Sequence, residues 1–293
     1  MKKYVIYHAN CIDGFGAAFA AWKKFGDNAT YIPLNHYDKF PLLEKNSEVY
    51  ILDFCPESPL LIRELFKSHK KVIILDHHES EYKKIYQTDP QLLSSTWDGS
   101  HVVYFQEDLS GVSLAWNYFH PDTPAPDYFS RIQDRDLRNW DFIDTPRITD
   151  TLMSLPKTFE GWDKFSLEYL SVSGAVVSQV KNQLIQDICD YNSHFAEIDG
   201  YTVPVANASV HWSDVTTELL KRYPEAPFAA AYYFVDAHTM KWSLRSRQSD
   251  NLNVADISKQ FGGGGHKDSG GFAAGPQDIL FIKKEEHVFK KAS

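Results

Sequence analysis

Three apolar segments of this chain each run directly into histidine or aspartate. Residues 4–7 precede His8, residues 49–52 precede Asp53, and residues 72–75 precede the triplet Asp76-His77-His78. Imidazole nitrogen combined with carboxylate oxygen suits a first-row divalent ion such as manganese. Calcium prefers oxygen alone, and structural zinc prefers thiolates. The residue types therefore predict a metal site, although a single aspartate at a strand end is often only a helix cap.

The elements around these residues predict how they are brought together. Each apolar run is typical of a buried parallel strand, and helix-compatible segments follow at 14–25, 57–68 and 79–86. Repeated β-α units predict an α/β fold with a parallel sheet, whose strands end at one edge. We therefore expect four side chains to converge there: His8, Asp13, Asp53 and His77.

The second part of the chain predicts a smaller α/β domain. Further helices are predicted at 112–119 and 126–135, and residues 164–194 are continuously helix-compatible. We expect a first domain at 1–172, a connecting helix at 173–195 and a second domain at 196–293. Within the last, strands are predicted at 201–207, 228–236 and 241–246, and helices at 214–223 and 254–261.

Four consecutive glycines, 262–265, precede His266. Glycine costs backbone entropy and contributes no side-chain packing, so a folded chain needs a reason to keep four of them. Backbone amides that approach a phosphate closely are one such reason. A helix C-cap or a flexible linker is the alternative.

Taken together, these motifs resemble the DHH phosphoesterase superfamily with a C-terminal DHHA1 domain. The resemblance rests on residues 8–15 (HANCIDGF), Asp53, the triplet 76–78 and the GGGGH run at 262–266, and it covers nearly the whole chain in the family's order. The superfamily includes RecJ-type exonucleases, nanoRNases, cyclic-dinucleotide phosphodiesterases and some exopolyphosphatases. The resemblance implies a parallel-sheet DHH domain joined by a long helix to a smaller DHHA1 domain, with the active site in the interdomain cleft.

The resemblance also implies roles for individual residues. Asp53 would bridge two ions, Asp76 would orient His77, and His78 would face the substrate. The implied metal ligands are His8, Asp13, Asp53, His77 and Asp134. For the last ligand Asp136 is the rival, and the whole segment 131–137 could instead be an exposed charged turn.

In the second domain the resemblance implies contacts with substrate phosphate. The implied residues are Arg245, Gly263, Gly264, Gly265 and His266. Arginine is suited to this role because its guanidinium donates two parallel hydrogen bonds to phosphate. Without the resemblance, Arg245 would be interpreted as a solvated surface residue.

One position departs from the family pattern. Where the family's first motif usually carries Asp-x-Asp, this chain has Cys11 before Asp13. A soft thiol is a poor ligand for a hard ion, so one of the two ions would be held weakly, or with help from Asn10. Cys11 could equally be a small packing residue without any metal role.

Composition limits the location and the partners. The three cysteines form no disulfide framework, the apolar run after Lys3 is too short for a signal peptide, and no segment approaches the ~20 apolar residues of a membrane span. We therefore expect a cytoplasmic protein without membrane contact. A net charge of −9 without a basic block argues against long duplex DNA. A homodimer is left open.

The expected function is phosphodiester hydrolysis that depends on Mn²⁺, held as two ions if Cys11 permits, with Mg²⁺ as the other candidate. Two ions activate a water molecule and hold the phosphoryl oxygens for in-line attack. Short oligonucleotides cut from an end are the first choice of substrate, and polyphosphate is the second. The remaining alternative is a catalytically weak protein that binds a nucleotide or phosphate.

Overall fold

The computed structural model describes residues 1–35 and 38–282. The chain folds as two units, Met1–Ser178 and Gln179–Ser293. Among the helices of the described ranges, none combines the length and the apolar character that crossing a membrane requires.

Unit 1 is built on a parallel sheet. Its strands are β1 (Lys3–His8), β2 (Thr30–Leu34), β3 (Glu48–Leu52), β4 (Lys71–Asp76) and β5 (His101–Phe105). The order is β2-β1-β3-β4-β5, and every neighbouring pair is parallel. Strand β2 lies on one side of β1, whereas β3, β4 and β5 follow one another on the other side. The strand order therefore reverses between β1 and β3. Open α/β sheets bind ligands beside such a reversal, at the carboxyl ends of the strands.

Helices flank this sheet. They are α1 (Ile12–Phe25), α2 (Pro59–Ser68), α3 (Glu79–Thr88), α4 (Gly111–Phe119), α5 (Phe129–Asp136), α6 (Thr145–Ser154) and α7 (Phe159–Trp162). Helix α8 (Leu167–Tyr191) begins in unit 1 and ends in unit 2. Residues 72–75 of β4 are completely buried, which explains why this strand is uniformly apolar. The predicted α/β fold with a parallel sheet is confirmed. The edge strands β2 and β5 were not predicted, and β2 contains Pro33, which an edge strand tolerates.

The long helix lies within the helix-compatible segment 164–194. Helix α8 begins at Leu167 and ends at Tyr191. Residues 193–195, predicted as helix, belong instead to strand β6 (Ser193–Ile198), where backbone pairing with the next strand outweighs helix propensity.

Unit 2 is built on a mixed sheet. After β6 come β7 (Tyr201–Asn207), β8 (Ala229–Phe234), β9 (Met240–Arg245), β10 (Gly264–His266), β11 (Ser269–Ala274) and β12 (Leu280–Ile282), with helices α9 (Trp212–Arg222) and α10 (Val254–Gln260). The order is β10-β11-β9-β8-β7-β6-β12. Strands β7 and β8 pair in parallel, and the other pairs are antiparallel. The predicted second domain extends to residue 293, and residues 283–293 lie outside the described residues.

Candidate metal centre and phosphate-binding residues

Asp53 directly follows β3 at the reversal of the sheet, and its side chain is 1% exposed. Its φ of 54° lies in the left-handed region, which aspartate tolerates better than most residues. Its Oδ1 lies 3.1 Å from His77 Nε2, and its Oδ2 lies 3.5 Å from His8 Nδ1. Burial by itself would raise the pKa of Asp53, but the bonds with His77 and then His8 outweigh burial and lower that pKa.

Asp13 lies in the first turn of α1 and is completely buried. Its two carboxylate oxygens accept the backbone N–H groups of Gly111 and Val112, at 2.6 and 3.0 Å, where α4 begins. Its Oδ2 also lies 3.7 Å from His77 Nε2. Burial, followed by the charges of two neighbouring carboxylates, raises the pKa of Asp13 well above its ordinary value.

Asp136, at the end of α5, completes the group around the His77 ring. Its Oδ2 lies 3.3 Å from His77 Nε2. Burial and the charge of Asp53 raise the pKa of Asp136. Ligand atoms of Asp13, His77 and Asp136 all lie within 4.8 Å of one another, which is close enough to share one ion.

Asp134, the expected metal ligand of α5, does not join this group, and the structure places its rival Asp136 there instead. The Asp134 carboxylate accepts the backbone N–H groups of Asp141 and Phe142, at 2.7 and 3.3 Å, and the hydroxyl of Thr145. With 2% exposure, its oxygens are occupied in holding the segment that leads into α6. Burial would raise the pKa of Asp134, but these bonds, with Thr145 first, lower it.

The triplet at the end of β4 also differs from the expectation in one respect. Asp76 accepts the backbone N–H of His77 at 2.8 Å, and its Oδ1 lies 2.7 Å from His78 Nδ1. Asp76 therefore orients the ring of His78, not that of His77, which faces the carboxylates instead. Burial would lower the pKa of His78, but the bond with Asp76 raises it to about 9.

Cys11 is the N-cap of α1, a role that the sequence did not suggest. Its Sγ accepts the backbone N–H of Asp13 at 3.3 Å. Its sulfur also lies within 4.8 Å of ligand atoms of His8 and Asp53. Burial, followed by the charges of Asp53 and Asp13, raises the pKa of the thiol. Without a cation Cys11 is thus a neutral cap at neutral pH, and its position leaves a metal contact open.

The donor set fits divalent metal. Three overlapping groups are present: Asp53-Asp76-His77-His78, His8-Cys11-Asp53 and Asp13-His77-Asp136. Among the described residues, the ion pairs of Asp13, Asp53 and Asp136 are formed with histidine and none with lysine or arginine. The raised pKa values of Asp13 and Asp136 follow from this concentration of buried negative charge, which a divalent cation would offset.

A cavity of about 330 Å³ adjoins this cluster at Cys11. Asn10, Asn35 and Lys157 contribute polar groups to its lining. The volume gives room for a small group beside the candidate ligands, and the positive charge of Lys157 suits a phosphorylated one.

In unit 2, the sheet register places Arg245 and His266 in one row. Arg245 of β9 is paired with Ser269 of β11, and Ser269 is paired with His266 of β10. Directly paired residues project from the same face of a sheet. Arg245 Nη2 donates to Ser213 Oγ at 2.7 Å, which fixes the guanidinium on that face.

The glycine run is partly strand rather than an open loop, since Gly264 and Gly265 belong to β10. The N–H of Gly263 donates to the carbonyl of Ser258 at 2.9 Å, so that amide is not free for a phosphate. A Cβ atom on Gly263 would collide with the carbonyl oxygen of Gly271, and one on Gly265 would collide with that of Ser269. A Cβ on Gly264 would meet nothing within 4 Å. Close strand packing thus explains Gly263 and Gly265, whereas Gly264 faces open space.

Sequence reasoning missed Gly111, the first residue of α4. A Cβ atom there would lie 2.6 Å from Asp53 Oδ1. The available signal was the Ser110-Gly111 pair that follows the apolar segment 102–105, in the same strand-then-polar arrangement that marked the other strand ends.

The two sheets match those of a solved enzyme. The structure aligns with that of PggH, a pGpG-specific phosphodiesterase from Vibrio cholerae, with a TM-score of 0.57 and 11% identity over 95% of each chain. The chain has the two-sheet fold of DHH-family enzymes. Unit 1 carries the DHH-like parallel sheet, and unit 2 carries the DHHA1-like mixed sheet. The resemblance seen in the sequence is confirmed at the level of the fold.

Two further proteins are similar to the chain. RecJ from Thermus thermophilus, solved in complex with Mn²⁺, aligns with a TM-score of 0.48 and 13% identity over 94% of this chain and 50% of RecJ. An uncharacterized protein of Acanthamoeba polyphaga mimivirus is 28% identical over 297 residues, which cover 92% of this chain. The chain spans 66% of that relative's length, slightly less than two thirds. No protein-family model matches the chain.

Proposed function

We propose that this chain is a metal-dependent phosphohydrolase that cleaves phosphodiester bonds of short oligonucleotides from one end. The observation that carries the proposal is the position of Asp53, whose two oxygens face His77 and His8 separately. With its oxygens beside two different imidazoles, this carboxylate could help to hold two divalent ions. The mixture of imidazole and carboxylate favours Mn²⁺, with Mg²⁺ as the alternative ion.

The residues of the site would have separate roles in metal binding and in contact with the substrate. Divalent ions, when bound, lower the pKa of coordinated water towards neutrality and offset charge on the phosphoryl oxygens. His8, Asp13, Asp53, His77 and Asp136 would hold them. Asp76 keeps the His78 ring oriented through Nδ1, and the bond with this carboxylate favours the protonated ring. His78 would then donate a hydrogen bond from Nε2 to a phosphoryl oxygen.

Charge and the second unit support a short, phosphorylated substrate. The chain carries a net charge of −9 and no basic block, which disfavours extended duplexes. Arg245 and His266 share one face of the DHHA1-like sheet and would bind phosphate there. The specificity of the Vibrio cholerae enzyme makes pGpG the first substrate to test.

The test is hydrolysis by chelator-treated protein to which Mn²⁺ or Mg²⁺ is returned. The substrates are pGpG, other dinucleotides, cyclic dinucleotides, inorganic polyphosphate and p-nitrophenyl phosphate esters. We expect dinucleotide hydrolysis that Mn²⁺ restores, and a loss of about a thousandfold or more in kcat for Asp53→Asn. Asp122→Asn, at an exposed carboxylate, is the matched control and should be unaffected.

Three outcomes would contradict the proposal. Turnover that persists in excess chelator would exclude a role for the metal. An Asp53→Asn variant that keeps more than roughly a tenth of the wild-type kcat would exclude Asp53 as the shared ligand. Polyphosphate hydrolysis without dinucleotide hydrolysis would identify an exopolyphosphatase instead.

A further inference from the structure

Unit 2 contains a cavity that is not lined by Arg245 and His266, the two residues proposed to bind phosphate. Its volume is about 190 Å³, and helix α9 and strands β8, β9 and β11 enclose it. The lining includes Trp212, Ala231, Tyr233, Lys241, Ser243 and Gly271. Pockets for drug-sized ligands measure roughly 300–1,000 Å³, so this cavity suits a single ring system rather than a complete nucleotide.

Small residues in one row of the sheet create the cavity floor. Ser243 of β9 is paired with Ala231 on one side and with Gly271 on the other. Paired residues share a face of the sheet, so three small residues lie next to one another across three strands. The next row places Tyr233 beside Lys241 and raises one wall above this floor.

An aromatic pair forms the rest of the wall. The rings of Trp212 and Tyr233 are nearly parallel, with an interplanar angle of 22° and centroids 6.3 Å apart. Trp212 borders the cavity and is 45% exposed, so part of its side chain is accessible to a ligand. A partly exposed indole beside a flat floor offers the face on which a planar ring stacks.

The cavity adjoins the phosphate-binding row. Arg245 lies two residues beyond Ser243 on β9 and projects from the same face, so the two rows are ~7 Å apart at the usual rise of a strand. The Arg245 guanidinium donates to Ser213, the residue after Trp212. Arg245 is thus held beside the end of α9 that carries Trp212. Lys241 adds a positive charge at the opposite rim.

We propose that this cavity is a nucleobase subsite, in which a base stacks on Trp212 above the floor of Ala231, Ser243 and Gly271 while its phosphate binds Arg245 and His266. The proposal rests on the proposed function and narrows it, because a base subsite selects nucleotides over polyphosphate. It assigns substrate selection to Trp212, which the phosphate-binding set does not include.

Binding measured in excess chelator tests the subsite without any turnover. AMP, GMP, CMP and UMP are each compared with ribose 5-phosphate, which has the same sugar and phosphate but no base, by calorimetry on the full chain. We expect at least one nucleotide to bind about tenfold more tightly than ribose 5-phosphate, given what base stacking contributes. Trp212→Leu should remove this preference and leave ribose 5-phosphate binding unchanged, whereas Trp212→Phe should keep most of it.

Two further variants serve as controls. Arg245→Gln should weaken the binding of nucleotides and of ribose 5-phosphate to the same extent, because both carry the phosphate. Trp140→Leu removes another exposed indole, in unit 1, and should change neither. The subsite would be overturned if the wild type bound all nucleotides and ribose 5-phosphate equally tightly. It would also be overturned if Trp212→Leu weakened the binding of nucleotides and of ribose 5-phosphate by the same factor. A base preference in a protein that hydrolyses nothing would uphold the subsite and reject the hydrolase.

Discussion

Gly111 lies directly against Asp53: a Cβ atom at Gly111 would be 2.6 Å from Asp53 Oδ1 and 2.7 Å from Asp53 Cγ. The start of α4 therefore fixes the position of the carboxylate that faces both His8 and His77. Any side chain at residue 111 must move either the helix or Asp53.

Gly111→Ala should consequently lower kcat by about a hundredfold, because a displacement of roughly 1 Å in a reacting group costs that much. Overpacking should also reduce the free energy of unfolding by ~1–3 kcal/mol. Asn117→Ala, at an exposed position of the same helix, is the control. Steady-state kinetics and urea unfolding of both variants check this, and an unchanged kcat in Gly111→Ala would show that Asp53 tolerates displacement.

The two aspartates of α5 should behave in opposite ways. Asp134→Ala leaves the N–H groups of Asp141 and Phe142 without their acceptor and should cost about 2–3 kcal/mol of unfolding free energy. Asp136→Asn should instead raise the melting temperature of metal-free protein, because it removes a charge whose burial and repulsion with Asp53 raise the pKa of Asp136. It should also weaken Mn²⁺ binding. Calorimetric titration and thermal unfolding distinguish them, and strong Mn²⁺ binding in Asp136→Asn would refute its assignment.

Cys11→Asp should tighten Mn²⁺ binding by about tenfold, because a hard carboxylate replaces a soft thiol next to His8. Its metal-free melting temperature should fall, because another buried negative charge joins Asp13 and Asp53. Cys11→Ser keeps a cap acceptor without the charge and should preserve stability. If Mn²⁺ affinity is the same in Cys11→Asp and the wild type, residue 11 has no metal contact.

Substitutions in the glycine run should distinguish a packing role from a ligand-binding role. Gly263→Ala should destabilise unit 2 by ~1–3 kcal/mol, because its Cβ would lie against Gly271 and Phe272. Gly264→Ala meets open space and should leave the melting temperature unchanged. If the backbone at Gly264 approaches a phosphate, the same change should weaken ribose 5-phosphate binding. Comparable destabilisation in both variants would contradict the packing account.

His78 should make the stability of metal-free protein depend on pH. Its pKa of about 9 exceeds the ordinary value of 6.5, so the protonated ring stabilises the fold. That contribution is complete below pH 6.5 and is lost as the pH rises through about 9. The melting-temperature difference between wild type and His78→Gln should therefore be largest near pH 6 and shrink towards pH 10. The effect of His69→Gln should change at lower pH, because burial lowers the pKa of His69 and its contribution to stability is lost only as the pH falls below 6.5.

The strands that carry the candidate site were predictable because their signal is local. The buried run before Asp76 is uniformly apolar, His8 is the last residue of β1, and Asp53 directly follows β3. Parallel strands place these ends at one edge without any knowledge of the loops. Sequence alone therefore located the strand-end residues of the cluster.

The errors arose where tertiary contacts decide between local alternatives. Asp134 and Asp136 are two residues apart in a charged segment, and only the folded structure shows that Asp134 accepts hydrogen bonds from the segment that leads into α6. Strand β6 directly follows a long helix and depends on pairing with β7 for its existence. The cavity beside Trp212 arises from a register across three strands, which a linear pattern does not contain.

Asp13 gives both of its oxygens to the first amides of α4 while it lies beside His77. The same carboxylate therefore anchors a helix and borders the metal cluster, and a loss of activity after its replacement would have two indistinguishable causes. An inactive but intact version of this protein, for trapping a bound substrate, is better made at Asp136, whose described ion pair is with the cluster itself.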